Sequence, residues 1–271
     1  MRHLETKPFS VPMSESIPPL LPELQTGPQL SLSARLINVF VAPGEVFETV
    51  KARPPSTGNW LVPALLMCLV GIVATFVVFS QASIIQQLKE QQERALEKKL
   101  EKLPKEQRDQ IRAIAEKWTS PLLIKVAGSA GAVIRSFGGL FFTALVVWLL
   151  GTRLLKGSFT YMQAVEVCGL AGMISVLGGV IWMLLAVVMG SPLATPGPVL
   201  LVGEINPSNL GHMLLSGLNL VTIWYVGVLA IGLSKLSGAS VAKAAVWLYG
   251  LWVVFGGGMI VAGWASQRAV Q

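Results

Sequence analysis

The sequence has little of what a soluble catalytic domain uses. Only 13% of its 271 residues are charged, and it contains two histidines and two cysteines. Cys68 and Cys168 both lie in long apolar runs, where a thiol behaves as a small hydrophobic group. The chain also lacks a GxxxxGK[ST] phosphate loop, an HExxH or CxxC metal spacing, and paired carboxylates on one helix face. We therefore expect no catalytic residue, no cofactor, no metal site and no disulfide framework.

Apolar residues, in contrast, are abundant. They make up 53% of the chain, and the mean hydropathy is +0.63, which is well above the range of an ordinary soluble domain. The formal net charge of +7 comes from basic residues that flank the apolar runs. This arrangement is typical of membrane proteins, so the expected partner is membrane lipid and not nucleic acid. The sequence indicates no particular small-molecule ligand.

Five long apolar runs predict an all-α fold, a polytopic bundle of about five transmembrane helices. At a rise of about 1.5 Å per residue, each run is long enough to cross a hydrocarbon core of about 30 Å. Short linkers between consecutive runs favour antiparallel packing of neighbouring helices. We assign residues 57–265 to one membrane domain. Its predicted spans are about 60–80, 126–150, 161–189, 213–233 and 241–264.

Three segments are predicted to lie outside the hydrocarbon core. Residues 1–30 are rich in proline and are expected to form a disordered tail. Residues 31–56 alternate apolar and charged positions, which predicts two amphipathic helices on the membrane surface with a break at Pro43-Gly44. Residues 81–118 are densely charged and predict an extramembrane helical hairpin that turns near Pro104.

The basic residues of the short loops predict the orientation. Arg153, Lys156, Lys235 and Lys243 all fall on the N-terminal side, whereas residues 190–212 contain no Lys or Arg. The positive-inside rule then places the N-terminus in the cytoplasm and the C-terminus outside. The charged hairpin would lie outside, where its nine basic and seven acidic residues constrain orientation less than short loops do.

Two ionisable residues, Glu166 and Arg135, fall within the predicted spans and are the candidate functional residues. A charge at a helix centre costs about 2.5–3.5 kcal/mol on insertion scales, so such residues often mark a polar site or a proton relay. Their predicted depths differ, and the sequence does not establish a salt bridge between them. We favour the simpler explanation, in which Arg135 extends outward to the headgroups and Glu166 lies near enough to the surface to be hydrated.

His212 and Ser216 lie one helical turn apart at the start of the predicted fourth span. This spacing suggests an intramembrane serine protease, but that arrangement needs an activating base from another span, and no other span supplies one. We therefore interpret His212 as an interfacial residue and Ser216 as a helix-packing residue. The many glycines of the spans favour close helix packing, within the bundle or in self-association.

Three segments resemble the YIP membrane proteins, a family named for Rab-interacting proteins of the secretory pathway, and are most similar to its bacterial members. These are residues 37–66, LPKEQRDQIRAIAEKW (residues 103–118) and GSFTYMQAVEVCGLAGMISVLGGV (residues 157–180). The resemblance implies five spans and a cytoplasmic N-terminus. Eukaryotic members carry an acidic-aromatic motif ending in Gly-Pro before the first span, whereas this chain has Ser56–Trp60 there. The resemblance implies no catalytic residue.

The sequence leaves three functional hypotheses. The leading one is a non-enzymatic membrane scaffold of the YIP type that organises other membrane proteins or lipids in a bacterial cytoplasmic membrane. The alternative is a small transporter or channel component that uses Glu166 and Arg135. An intramembrane enzyme is the least favoured because the spans contain too few polar residues.

Overall fold

The computed structural model describes residues 30–100, 104–118 and 120–269, and all regular secondary structure in these ranges is helical. The predicted N-terminal tail therefore lies outside the described residues, except for residue 30. The α-helices, in chain order, are α1 (Leu32–Asn38), α2 (Pro43–Ala52), α3 (Gly58–Val78), α4 (Ala82–Leu100), α5 (Lys105–Trp118), α6 (Pro121–Leu149), α7 (Tyr161–Met189), α8 (Leu210–Gly217), α9 (Leu220–Ser237), α10 (Val241–Trp252) and α11 (Gly258–Ala269).

Within the described residues, five helical segments are long and apolar enough to cross a membrane. They are α3, α6 with the π-helical turn that extends it to Leu154, α7, α9, and a final span running from Val241 to Ser266 through α10, a π-helical turn and α11. This arrangement confirms the prediction of an all-α polytopic membrane bundle. Helices α3 and α7 pack together at its centre.

Consecutive spans alternate in direction, so the bundle has two ends. The N-terminal face carries the loops at residues 155–160 and 238–240, which meet where Gly157 lies against Ser237. The hairpin face carries α4, α5 and the loop at residues 190–209. A hydrogen bond of 3.1 Å from Gln87 Nε2 to the Gly190 carbonyl joins the hairpin to that loop.

The predicted fourth span is divided in the structure. Helix α8 ends at Gly217, and α9 begins only at Leu220. The side chain of Asn219 caps α9 by accepting hydrogen bonds from the backbone amides of Val221 and Thr222. The Leu220 amide donates to the Pro196 carbonyl at 2.9 Å and so ties the break to the preceding loop. The continuous apolar sequence conceals this break, because hydropathy does not register a polar capping residue between two short apolar runs.

The sequence led us to expect that the apolar face of α2 contacts the membrane surface. In the structure, this face packs against the bundle instead. Val46, Phe47 and Val50 are 0–2% exposed because they pack against α7 and α9. The Glu48 carboxylate forms an ion pair with Lys235 at the end of α9. An amphipathic pattern describes a helix with one apolar face, but it does not distinguish lipid from protein as the surface that covers that face.

Helices α1 and α2 together form a helical hairpin along the side of the bundle. At its turn, the Phe40 ring packs on Trp224 with a centroid distance of 5.8 Å. Trp224 lies about 20 Å along α9 from Ser237 at the usual helical rise. The turn therefore reaches deep beside α9, while both outer ends of the hairpin lie at the N-terminal face. Ile37 and Val41, 65% and 85% exposed, point away from the bundle near this turn.

The charged hairpin is anchored to the bundle through the start of α4. Ile84 is fully buried in a small cluster with Val78, Ala186 and their neighbours at the ends of α3 and α7. We expect Ile84→Ala to loosen this anchor, because removing a buried Ile side chain costs about 2–5 kcal/mol. Limited proteolysis in detergent should then cut α4–α5 at least tenfold faster than in the wild type. The matched variant Ile114→Ala, at a site that is 57% exposed on α5, should leave the cleavage rate unchanged; equal rates in both variants would contradict the anchor.

The orientation predicted from the basic loops is testable with single introduced cysteines. Gly197 is unsuitable because an added Cβ would lie 2.3 Å from the Leu218 carbonyl oxygen, but Glu204 is exposed in the same loop. We expect Glu204→Cys to react with an impermeant maleimide in intact cells, and Lys156→Cys to react only after lysis. The native Cys68 and Cys168 are buried and serve as an internal background. The opposite pattern of labelling would reverse the orientation.

Candidate functional site

Glu166 lies in the second turn of α7, close to the N-terminal face. Thr160 fixes the start of this helix with a capping box, in which its hydroxyl accepts from the Gln163 amide while the Gln163 side chain accepts from the Thr160 amide. Glu166 then faces the centre of the bundle with only 1% of its surface exposed. Among the residues whose side-chain burial the structure describes, it is the only charged one that is buried.

The Glu166 carboxylate accepts hydrogen bonds from the segment that joins α2 to α3 and from the first turn of α3. The Ser56 backbone amide donates to Oε1 at 2.9 Å, and the Asn59 side-chain amide donates to Oε2 at 2.5 Å. Asn59 lies in the first turn of α3 and is itself 1% exposed. The Arg35 guanidinium of α1 adds a favourable electrostatic interaction with the carboxylate. Hydrogen bonds thus connect Glu166 of α7 to α3 and to the segment that follows α2, and an electrostatic interaction links it to α1.

This geometry corrects the expectation that Glu166 is hydrated near the surface. The carboxylate is buried, and protein donors replace the water that would otherwise solvate it. Sequence reasoning did not identify Arg35, Ser56 or Asn59 as its partners. The two hydrogen-bond partners lie 107 and 110 residues away in sequence, so no local pattern links them to Glu166. The sequence offers one signal only, the presence of polar residues at the start of the first span.

Two buried polar atoms of the same residues have no hydrogen-bond partner in the structure. They are Nε of Arg35 and Oδ1 of Asn59. Since the Asn59 amide nitrogen already donates to Glu166, its oxygen is a spare acceptor inside the cluster. The cluster can therefore accommodate one additional donor at Asn59 without a change of backbone. A Gln side chain at position 166 can donate to this spare acceptor, whereas an Ala side chain cannot.

Arg135 is exposed on the outer surface of α6 and forms no ion pair with Glu166. Helix α6 crosses α3 in the antiparallel direction, with Gly71 against Ala132 and Gly128 against Thr75. That register places Arg135 beside the middle of α3, about 15 Å from either end of that helix at the usual rise. The distance exceeds the length of an arginine side chain. The Arg135 side chain therefore does not reach the headgroups by extending outward, which corrects the expectation from the sequence. An unpaired charge at this depth costs about 2.5–3.5 kcal/mol on insertion scales.

His212 and Ser216 contribute to the packing of the hairpin face. The His212 Nδ1 atom accepts a hydrogen bond from the Asn206 amide at 3.0 Å. The Ser216 hydroxyl donates to the Leu193 carbonyl at 2.9 Å, and the Thr195 hydroxyl donates to the Ser216 carbonyl. These bonds hold the loop at residues 190–209 against α8. Both side chains are thus engaged with loop backbone, as expected for interfacial and packing residues.

The described residues include no group of three or more His, Cys, Asp or Glu side chains arranged to hold a metal ion. The features that remain are a helical hairpin along the bundle, a buried carboxylate that secures it, and one exposed arginine at mid-depth. These features define a polytopic α-helical membrane protein.

The chain belongs to the Yip1 family. The Yip1 domain model matches residues 37–262, which include all five spans except the last residues of the fifth. This match confirms the resemblance seen in the sequence and supports an integral membrane location. No curated protein shows a significant match to the chain, and neither does any solved structure.

Proposed function

We propose that this chain is a non-enzymatic scaffold that organises other membrane proteins in a bacterial cytoplasmic membrane, with its N-terminal face in the cytoplasm. The observation that carries the proposal is the hydrogen bonding of the buried Glu166 carboxylate. Glu166 is the only acidic residue of the five spans, and both its oxygens accept hydrogen bonds from the chain itself. A carboxylate committed to a structural contact favours a fixed assembly of helices.

A transporter makes a different demand on the same residue. Coupled transport needs an ionisable group that exchanges protons or ions with both sides of the membrane as the protein changes state. Releasing Glu166 would break its hydrogen bonds to Ser56 and Asn59 and remove the favourable electrostatic interaction with Arg35. These contacts cross-link α7 to α3 and to the α1–α2 hairpin, so they favour the scaffold over the alternative transporter.

Reciprocal purification tests the scaffold directly. The full chain is purified from its native membranes in a mild detergent, the co-purifying proteins are identified, and each is then tagged and purified in turn. We expect a defined set of membrane proteins that recover this chain at a reproducible stoichiometry. Recovery of this chain alone, even after chemical cross-linking in the intact membrane, would contradict a scaffold. So would co-purifying proteins that fail to recover this chain when they are tagged in turn.

A further inference from the structure

Arg135 lies within an exposed face of α6 that no other part of the described chain covers. Its guanidinium forms no hydrogen bond or ion pair with another described residue. Neighbouring positions at intervals of three and four residues share this side of the helix. We call this surface the Arg135 face, and it consists of the exposed residues Ile134, Arg135, Gly138 and Phe142 together with half-buried Gly131.

The shape of the Arg135 face suits another helix. A Cβ atom added at Gly131 or at Gly138 would meet nothing within 4 Å, so the backbone of α6 is open at both points. Beside them, Ile134 is 71% exposed and Phe142 is 65% exposed. Small residues next to large apolar ones allow close approach and interlocking of two transmembrane helices. The shape alone does not identify the class of partner, but the charge of Arg135 does.

The charge requires an anion at the middle of the membrane. The register of α6 against α3 places Arg135 at mid-depth, where neither water nor headgroups solvate a guanidinium. A carboxylate at the same depth would accept charge-assisted hydrogen bonds from the planar guanidinium, in the geometry that arginine favours. In the hydrocarbon core such a carboxylate must be carried by a transmembrane helix.

A second copy of this chain does not supply that carboxylate. Glu166 is the only Asp or Glu in the five spans. Its side chain is 1% exposed and already holds Ser56 and Asn59 of its own chain. The acidic partner of Arg135 must therefore come from a different protein.

We propose that the Arg135 face binds a transmembrane helix of another protein, and that this helix carries Asp or Glu near its midpoint. The inference rests on the proposed scaffold function and names the class of partner. The carboxylate neutralises Arg135, while Gly131 and Gly138 admit the partner backbone. The charge makes the contact selective, because an apolar helix leaves the guanidinium unpaired.

Photocrosslinking in native membranes tests this contact. p-Benzoylphenylalanine replaces Ile134 in the full chain, and the matched control places it at Val246 on α10, which is 72% exposed. We expect a discrete protein adduct from position 134 alone, with the cross-linked peptide inside a membrane span that contains Asp or Glu. Adding Arg135→Leu should lower the adduct yield at least tenfold, whereas Arg135→Lys should retain a large part of it. Neutralising the partner carboxylate should match Arg135→Leu, and exchanging the two charges should restore the adduct.

Four outcomes overturn the proposal: an adduct unaffected by Arg135→Leu, an adduct with a second copy of this chain, adducts with anionic lipid only, or no adduct. The thermal unfolding midpoint of Arg135→Leu in detergent should not fall, because the substitution removes an exposed charge. Neutralising the partner carboxylate tests the same contact without altering this chain. Partners found by reciprocal purification without a position-134 adduct would refute the Arg135 face and leave the scaffold function standing.

Discussion

Replacing Glu166 with Ala is expected to lower the free energy of unfolding by about 3 kcal/mol or more. The change leaves the Ser56 amide and the Asn59 side-chain amide buried without acceptors, and each such group costs about 1–3 kcal/mol. It also removes the counter-charge of Arg35. Thermal unfolding in detergent can be followed with a fluorogenic maleimide, because the native Cys68 and Cys168 are 7% and 1% exposed and react only when the bundle opens.

Glu166→Gln should have a much smaller effect. A Gln oxygen still accepts from the Ser56 amide, and the Gln amide can donate to Asn59 once the Asn59 amide group turns its free oxygen toward it. Exposed Glu204→Ala provides a control that should not change the unfolding midpoint. Equal loss in the Gln and Ala variants would show that charge, and not hydrogen bonding to the α2–α3 segment, stabilises the cluster.

Gly169→Ala is expected to destabilise the bundle by about 1–3 kcal/mol, the usual cost of overpacking a tight contact. A Cβ atom at this position would lie 2.4 Å from Cα of Trp60 and 2.8 Å from the Asn59 carbonyl oxygen. Because these are backbone atoms, α3 as a whole must move away from α7. The same movement would draw Asn59 from Glu166, so the effects of Gly169→Ala and Glu166→Ala should not be additive.

Gly250→Ala is the matched control for the glycine prediction. Gly250 lies in α10, and a Cβ atom there would meet nothing within 4 Å. Alanine is the better helix former by about 0.8–1 kcal/mol, so this variant should be as stable as the wild type or slightly more stable. Comparable losses at Gly169 and Gly250 would refute a specific close contact between α3 and α7. The maleimide assay described for Glu166 measures both variants.

Hydropathy alone predicts the number of spans, because a run of about 20 apolar residues has few uses other than crossing a membrane. It does not predict where α1 and α2 lie. Their apolar faces match a membrane surface as well as they match the side of a bundle, and only tertiary packing of Phe47 against α9 decides between them. The break between α8 and α9 was missed for a related reason, since the capping residue Asn219 is a single polar position in an apolar stretch.

The candidate residues show the same division. Glu166 and Arg135 stand out in the sequence because each charge interrupts an apolar span. Their environments differ: Glu166 is buried among partners from distant segments, whereas Arg135 is exposed at mid-depth. The sequence contains no local feature that distinguishes these situations, because burial depends on which helices become neighbours. The register of α6 against α3, which places Arg135 beside the middle of α3, likewise follows from packing at Gly71 and Gly128.

Ion flux across proteoliposomes tests most directly the claim that Glu166 secures a scaffold and does not serve transport. The purified chain, its Glu166→Gln variant and the exposed-site control Glu204→Gln are reconstituted at equal density, and proton and cation fluxes are measured across an imposed pH gradient. All three preparations are predicted to match protein-free vesicles, because the carboxylate stays bound to Ser56 and Asn59. A flux that is present in the wild type and in Glu204→Gln but lost in Glu166→Gln would contradict the scaffold and establish Glu166 as a transport residue.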